Sequence, residues 1–374
     1  METLFWASIL FIAYVYVGYP VLLALWSRAA GRAPRPAATA GVRYPTLSIV
    51  VAARNEASRL RSRIENLLEL TYPHPVEIIV VSDGSTDGTR DAVRTFGDRV
   101  RLLEVPRGGK PRALNAGVAA SRGEVVVFAD ARQRFATDAL LALASNFAHP
   151  EVGAVTGELM LDCELQDVPE STVADGVGLY WKYEKWMRRH ESLVWSTLGA
   201  TGAIYAMRRE LWRPLPPDTL LDDVLAPMRV VLGGKRVVFD ERARAFDRVA
   251  DAASESRRKT RTLAGNYQIL ALEPRLLIPI VNPVWLQYVS HKLGRLVVPW
   301  ALVISLISNA VLAPRRWPYA LALLVQLCFY GLAIFGGLME SRNRRSAERA
   351  VELGTPSAQS AQGLPERGLP LSGG

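Results

Sequence analysis

Four aspartates and a lysine occupy positions where side-chain chemistry is easily arranged. Asp83 opens the turn Asp83-Gly84-Ser85-Thr86-Asp87-Gly88, directly after the apolar run Glu77–Ser82, and Asp130 follows a similar run, Val125–Ala129. Asp and Gly are good turn formers in their own right, so one such turn means little. Two carboxylates at matching strand ends are harder to explain structurally. Asp222 and Asp223 lie between apolar neighbours in Leu220-Leu221-Asp222-Asp223-Val224. A carboxylate in that setting can act as a general base, although helix N-termini also favour acids. Lys110 follows Gly108-Gly109, a pair that lets the backbone approach a ligand to which Lys110 would bring charge. No Walker A spacing is present, which argues against a P-loop. Ala53-Arg54-Asn55-Glu56 would supply another ligand loop, with Asn55 as a helix cap the competing role. The cation run Arg257-Arg258-Lys259-Thr260-Arg261 suits a solvated face, lipid headgroups or the oxygens of a diphosphate.

The surrounding pattern says how these groups are carried. Leu47–Ala52 is a continuous apolar run of the kind buried on both faces of a sheet, and Ala57–Leu70 has helical periodicity. Glu77–Ser82, a helix from about Thr89, Val100–Val105, a helix around Arg112–Ala120 and Val125–Ala129 continue the alternation. It predicts βαβ units, a mostly parallel Rossmann-like sheet and ligands at the carboxyl ends of its strands. After Val152–Leu161 the alternation weakens, and Asp175–Arg189 reads as a helix bearing Trp181, Tyr183 and Trp186.

The chain has 374 residues, enough for one large soluble domain and a few membrane spans. Leu4–Trp26, Leu296–Ala313 and Trp317–Met339 carry no charge, and Pro314-Arg315-Arg316 forces a hairpin between the last two. The predicted organisation is an N-terminal anchor over 1–28, a linker over 29–45 and an α/β domain over 46–270. An interfacial amphipathic segment (271–293), a transmembrane hairpin (294–340) and a disordered tail (341–374) follow. Arg28, Arg32, Arg35 and Arg43 flank the first span, and Arg342, Arg344 and Arg345 the last. The positive-inside rule then puts the α/β domain and tail in the cytoplasm, held at the cell's inner membrane. Arg315 and Arg316 run mildly against it. The net charge of +9 gathers beside the spans and in the 257–261 run, which favours lipid headgroups and a diphosphate over nucleic acid. Cys163 and Cys328 are the sole cysteines, too few for a disulfide framework or thiolate metal site.

Taken in order, Ala53–Glu56, Val81–Thr89, Lys110–Gly117, Phe128–Arg132, Leu221–Asp223 and Arg257–Arg261 resemble the motifs of processive-type, membrane-bound family 2 glycosyltransferases. Hyaluronan and cellulose synthases are of this type, and Ser290-His291-Lys292 is also similar to family members. The resemblance spans roughly residues 46–300. It implies a GT-A fold and inverting transfer from a nucleotide sugar, a UDP-sugar by preference, to a lipid-linked or polysaccharide acceptor. It further implies that Ala53, Asn55, Glu56, Asp83, Lys110, Asp130, Arg258 and Arg261 bind the donor. Asp130 would hold Mg²⁺ or Mn²⁺, and Asp223, beside Asp222, would be the catalytic base. Three positions depart from the pattern. Arg132 replaces a second metal-binding acid and could itself meet the diphosphate; Arg258 replaces Gln; Thr262 replaces the Trp that supports the acceptor in polymer synthases. A silent, sugar-nucleotide-binding membrane subunit is the alternative these departures leave open.

Overall fold

The computed structural model describes residues 1–31, 43–161, 172–247 and 252–352. Helix α1 (Glu2–Ala30) leads from the N-terminus, and most of the expected linker falls outside the described residues. The α/β domain begins with β1 (Leu47–Ala53), α2 (Ala57–Leu68), β2 (Glu77–Asp83), α3 (Thr89–Arg94), β3 (Arg101–Val105), α4 (Lys110–Ala120) and β4 (Val125–Asp130). It continues through β5 (Arg134–Phe135), α5 (Ala139–Ser145), β6 (Val152–Leu161), α6 (Thr172–Val194) and β7 (Ile204–Arg208). Then come α7 (Asp222–Leu232), β8 (Arg236–Asp247) and α8 (Ala252–Leu272).

These strands form one sheet in the order β3-β2-β1-β4-β7-β6-β8-β5. The β3-β2-β1-β4 half is parallel, as the near-continuous apolar runs require: β1 is buried over Leu47–Val51 and covered by helices on both faces. β7 then runs antiparallel to both β4 and β6. One core layer packs Leu60, Ile64, Val127 and Leu140 beneath the sheet; the other packs Leu114, Phe128, Tyr205 and Leu225 above it. Asp83 and Asp130 are the last residues of β2 and β4, on either side of β1.

Two further helices, α9 (Trp285–Leu312) and α10 (Trp317–Glu352), complete the chain; α1, α9 and the Trp317–Met339 part of α10 are long and apolar enough to cross a membrane. Their bounds differ from expectation in two places. α9 starts at Trp285, inside the segment expected to lie along the interface, because no proline interrupts residues 284–298 and carboxylates of α6 receive His291 and Arg295. α10 runs on to Glu352, past the expected start of a disordered tail at 341. Residues 341–352 contain no Gly or Pro and are rich in Arg, Ala and Glu, which favour helix. Residues 353–374 of that tail lie outside the described residues. Phe5 of α1 packs on Leu312 and Tyr319, and Arg316 approaches Glu2 at 3.9 Å. The start of α1 and the hairpin turn therefore share one end of the bundle, and the α/β domain sits at the other.

Candidate active site

The first layer of the site is a set of loops that hold one another. Asn55 adopts a left-handed conformation (φ 54°), and its Oδ1 accepts from the backbone N–H of Thr86 at 2.9 Å. Asn55 thus clamps the Asp83–Gly88 turn. The expected capping role falls instead to that turn: Asp87 Oδ2 accepts from Ala57 N–H at 3.1 Å and the Thr89 hydroxyl accepts from Glu56 N–H at 2.9 Å. Asp83 is buried, and its two carboxylate oxygens accept from the N–H groups of Gly108 (2.7 Å) and Gly109 (2.9 Å). The glycine pair therefore approaches Asp83 itself. Gly109 has φ +83°, a conformation open to glycine, and this starts α4 with Lys110 aimed at the sheet edge.

Lys110 is the hub of the second layer. Its Nζ lies 3.0 Å from Asp130 Oδ1 and 3.3 Å from Asp222 Oδ2, joining the ends of β4 and α7. Burial by itself would favour loss of the lysine proton, but the fields of Asp130, Asp222 and Asp223 outweigh it and keep the ammonium well above its ordinary range. Asp223 sits beside this group. Burial, with repulsion from Asp222, raises its carboxyl to about 6 against the opposing pull of Lys110 and Arg188. Asp223 is packed closely by the 199–202 loop: Ala200 N–H donates to its backbone carbonyl at 2.7 Å, and a Cβ on Gly202 would fall 2.8 Å from its Oδ2. A carboxylate raised towards neutrality beside a fixed cation is equipped to accept a proton.

Asp130, Asp222, Asp223 and Lys110 therefore meet, and Asp83 joins them through the Gly108-Gly109 backbone. Ala53 and Glu56 close the same edge: Ala53 is buried at the end of β1, and Glu56 pairs with Arg59 at 3.2 Å. Arg258 and Arg261 lie on exposed turns of α8. Arg261 reaches in, donating from Nε (3.1 Å) and NH2 (2.8 Å) to the carbonyl of Leu220, just before Asp222. Arg132 pairs with β8, its NH2 2.5 Å from Asp247 Oδ2. No group of three or more His, Cys, Asp or Glu suited to a metal occurs among the described residues. Asp130 alone still fits a Mg²⁺-type ion, which takes one or two carboxylates and completes its shell with phosphate oxygens and water.

Three contributors escaped sequence reasoning. Arg63 is buried and donates to the Asp130 carbonyl at 3.1 Å; a cation on the apolar face shared by Leu60, Ile64 and Leu67 was the available signal. Tyr205 lies under the acids, stacked on Phe128 at 4.4 Å. Its hydroxyl is buried without a hydrogen-bond partner, and burial, reinforced by Asp222, Asp223 and Asp130, pushes its pKa well up. Arg188 of α6 donates to the Thr201 hydroxyl at 2.7 Å. Nothing in the spacing of α6 sets it apart.

Comparison with known proteins bears on the fold. Residues 48–212 match the model of the family described as Glycosyl transferase family 2. The chain is 35% identical over 118 residues to a beta-monoglucosyldiacylglycerol synthase of Nostoc sp., covering 30% of this chain and 25% of that protein. It is 25% identical over 240 residues to the probable glycosyltransferase YdaM of Bacillus subtilis, covering 60% and 56%. These matches span between a quarter and somewhat over half of the relatives' own lengths. Among solved structures, a mannosyltransferase from Pyrobaculum calidifontis in complex with GDP-Man and Mn²⁺ superposes with a TM-score of 0.67 at 24% identity. That alignment covers 93% of this chain and 99% of the other.

Proposed function

We propose that this chain is a family 2 glycosyltransferase on a GT-A fold, a reading supported by the match over residues 48–212 and by the superposable fold, and that it transfers a sugar from a nucleotide sugar to a membrane-associated acceptor. The observation that carries the reading is the meeting of Asp130, Lys110, Asp222 and Asp223 at the strand ends. The donor is a UDP-sugar, and the acceptor is lipid-linked or a polysaccharide. The domain faces the cytoplasm from the inner membrane, in keeping with the arginines that follow α1 and precede the end of α10.

The reaction is a single displacement with inversion. The acceptor oxygen forms its bond to the anomeric carbon as the bond from that carbon to the nucleoside diphosphate breaks. Asp223 takes the acceptor hydroxyl's proton. Its closeness to Asp222 and its burial suit it to hold that proton near neutral pH. Lys110 supplies a fixed cation where the leaving diphosphate gathers charge. Arg261 steadies the Leu220 carbonyl and so the approach to Asp222-Asp223. A divalent cation held by Asp130, when bound, adds positive charge to the donor phosphates. The superposable mannosyltransferase structure, which holds Mn²⁺, supports that role.

The direct test is Asp223→Asn. It removes the proton acceptor while keeping size and hydrogen bonding. Transfer from a panel of radiolabelled nucleotide sugars, assayed with membranes from an expressing strain, is expected to fall by at least about a thousandfold, the upper part of what a positioned base contributes. UDP binding by calorimetry is expected to persist. Undiminished transfer by the variant would refute the assignment of the base.

A further inference from the structure

Behind the sheet, on the face away from the acids, lies a buried cation that the proposed transfer leaves unused. Arg63 of α2 is 1% exposed, in the layer of Leu60, Ile64 and Leu67. Asp130 shares the opposite face with Phe128, two residues before it in β4, and there meets Lys110. The sheet therefore screens Arg63 from a donor bound among the acids. What Arg63 reaches is the backbone that carries one of them: its Nε donates to the Asp130 carbonyl at 3.1 Å. NH1 donates to Asn66 Oδ1 at 2.8 Å, and the same oxygen accepts from the Phe135 N–H at 2.8 Å. Asn66 Nδ2 returns a bond to the Phe135 carbonyl at 3.1 Å, and the guanidinium lies 4.1 Å from the centre of the Phe135 ring. One turn of α2 thus holds both ends of residues 130–135. β8 holds the middle, where Asp247 Oδ2 accepts from Gln133 Nε2 at 2.8 Å and pairs with Arg132.

Stability alone does not call for an arginine here. Among the described residues Arg63 forms no ion pair, and its NH2 is buried without a hydrogen-bond partner. A guanidinium held this way in an apolar layer costs stability that a side chain such as methionine would not. What the guanidinium has, and methionine lacks, is a planar fork that fixes two acceptors in one geometry. Those acceptors are the carbonyl of Asp130 and the side chain that grips Phe135.

We propose that Arg63 is a positioning residue: through the Asp130 carbonyl and Asn66 it fixes the Asp130 carboxylate where a divalent cation and the donor's diphosphate meet it. The inference rests on the transferase reading above and on the role given there to Asp130. A lone carboxylate leaves such an ion few protein ligands, so the direction of that one side chain matters more than in a site built from several. Groups that orient a metal ligand without touching the metal change its affinity by about ten- to a hundredfold when removed.

The test is calorimetry of UDP binding to the full chain in detergent micelles, once with Mn²⁺ and once with EDTA. In wild type, Mn²⁺ is expected to tighten UDP binding. In Arg63→Met that tightening is expected to shrink by about tenfold, while UDP affinity in EDTA keeps its wild-type value. Melting is expected to stay within about 4 °C of wild type or to rise. An arginine that merely supported the fold would do the opposite: melting would fall, and UDP affinity would fall in both conditions. In an Asp130→Ala background, Arg63→Met is expected to change nothing further, because it acts through that carboxylate. Undiminished tightening in Arg63→Met, or a further loss in the double variant, overturns the proposal. Should Arg63→Met fail to fold, Arg63→Lys decides. Lysine keeps the charge but cannot hold both acceptors, so the tightening is again expected to shrink, and full tightening would overturn the proposal. Wild-type UDP binding that Mn²⁺ leaves unchanged would overturn the role of Asp130 and this proposal together. No UDP binding in either condition would sink the transferase reading itself, and this proposal with it.

Discussion

At the residue scale, Asp223 is defined by the balance among its neighbours. Burial and Asp222 raise it; Lys110 and Arg188 lower it; the first pair prevails and leaves it near 6. As a base it must be unprotonated, so kcat/KM is expected to fall about tenfold per pH unit below 6 and to level off above it. A pH–rate profile that stays flat down to pH 5 would contradict this. The same shift bears on stability. Between the unfolded value near 4 and the folded value near 6 the native state keeps a proton that the unfolded chain has lost, so stability declines as pH rises through that window. Asp223→Asn removes the decline. The variant is expected to melt above wild type at pH 7.5 and together with it at pH 4, which scanning fluorimetry can measure.

At the scale of elements, the site depends on short loops held by carboxylates and glycines. The 199–202 loop touches Asp223 from two directions, and Gly202 leaves no room for a methyl group. Gly202→Ala is therefore expected to push the Asp223 side chain aside and lower kcat by roughly 10- to 100-fold with little change in UDP affinity, since a displacement of about 1 Å is enough to disturb transfer. Equal losses in kcat and UDP affinity would instead place the effect on the donor loops. Asp83 shows the same logic in another loop. Its carboxylate organises the start of α4, which in turn aims Lys110 at Asp130 and Asp222.

For the whole molecule, the helix arrangement follows from how α1 meets α9, α10 and the α/β domain. The start of α1 lies beside the turn between α9 and α10, where Glu2 approaches Arg316. The far end, through Tyr19, reaches Glu191 at the base of the α/β domain. If the domain is cytoplasmic, an Asp98→Cys variant with Cys163 and Cys328 changed to Ser should label with an impermeant maleimide in inverted vesicles but not in intact cells. Asp98 is exposed on the domain surface. Labelling of intact cells would reverse the topology.

Much of this arrangement was legible in the chain itself. Apolar runs of strand length marked β1, β2 and β4, and the acids just after them fell at the sheet edge because strand ends are where a buried run meets solvent. The charge-free stretches marked the three helices long and apolar enough to span a bilayer, since bilayer thickness sets that length. Pairing across long separations was not legible. Local periodicity reports which face of an element is buried, not which distant element lies against it. Only the folded sheet brought Lys110 between Asp130 and Asp222, turned Arg132 to Asp247 and gave Asp83 to the glycine pair.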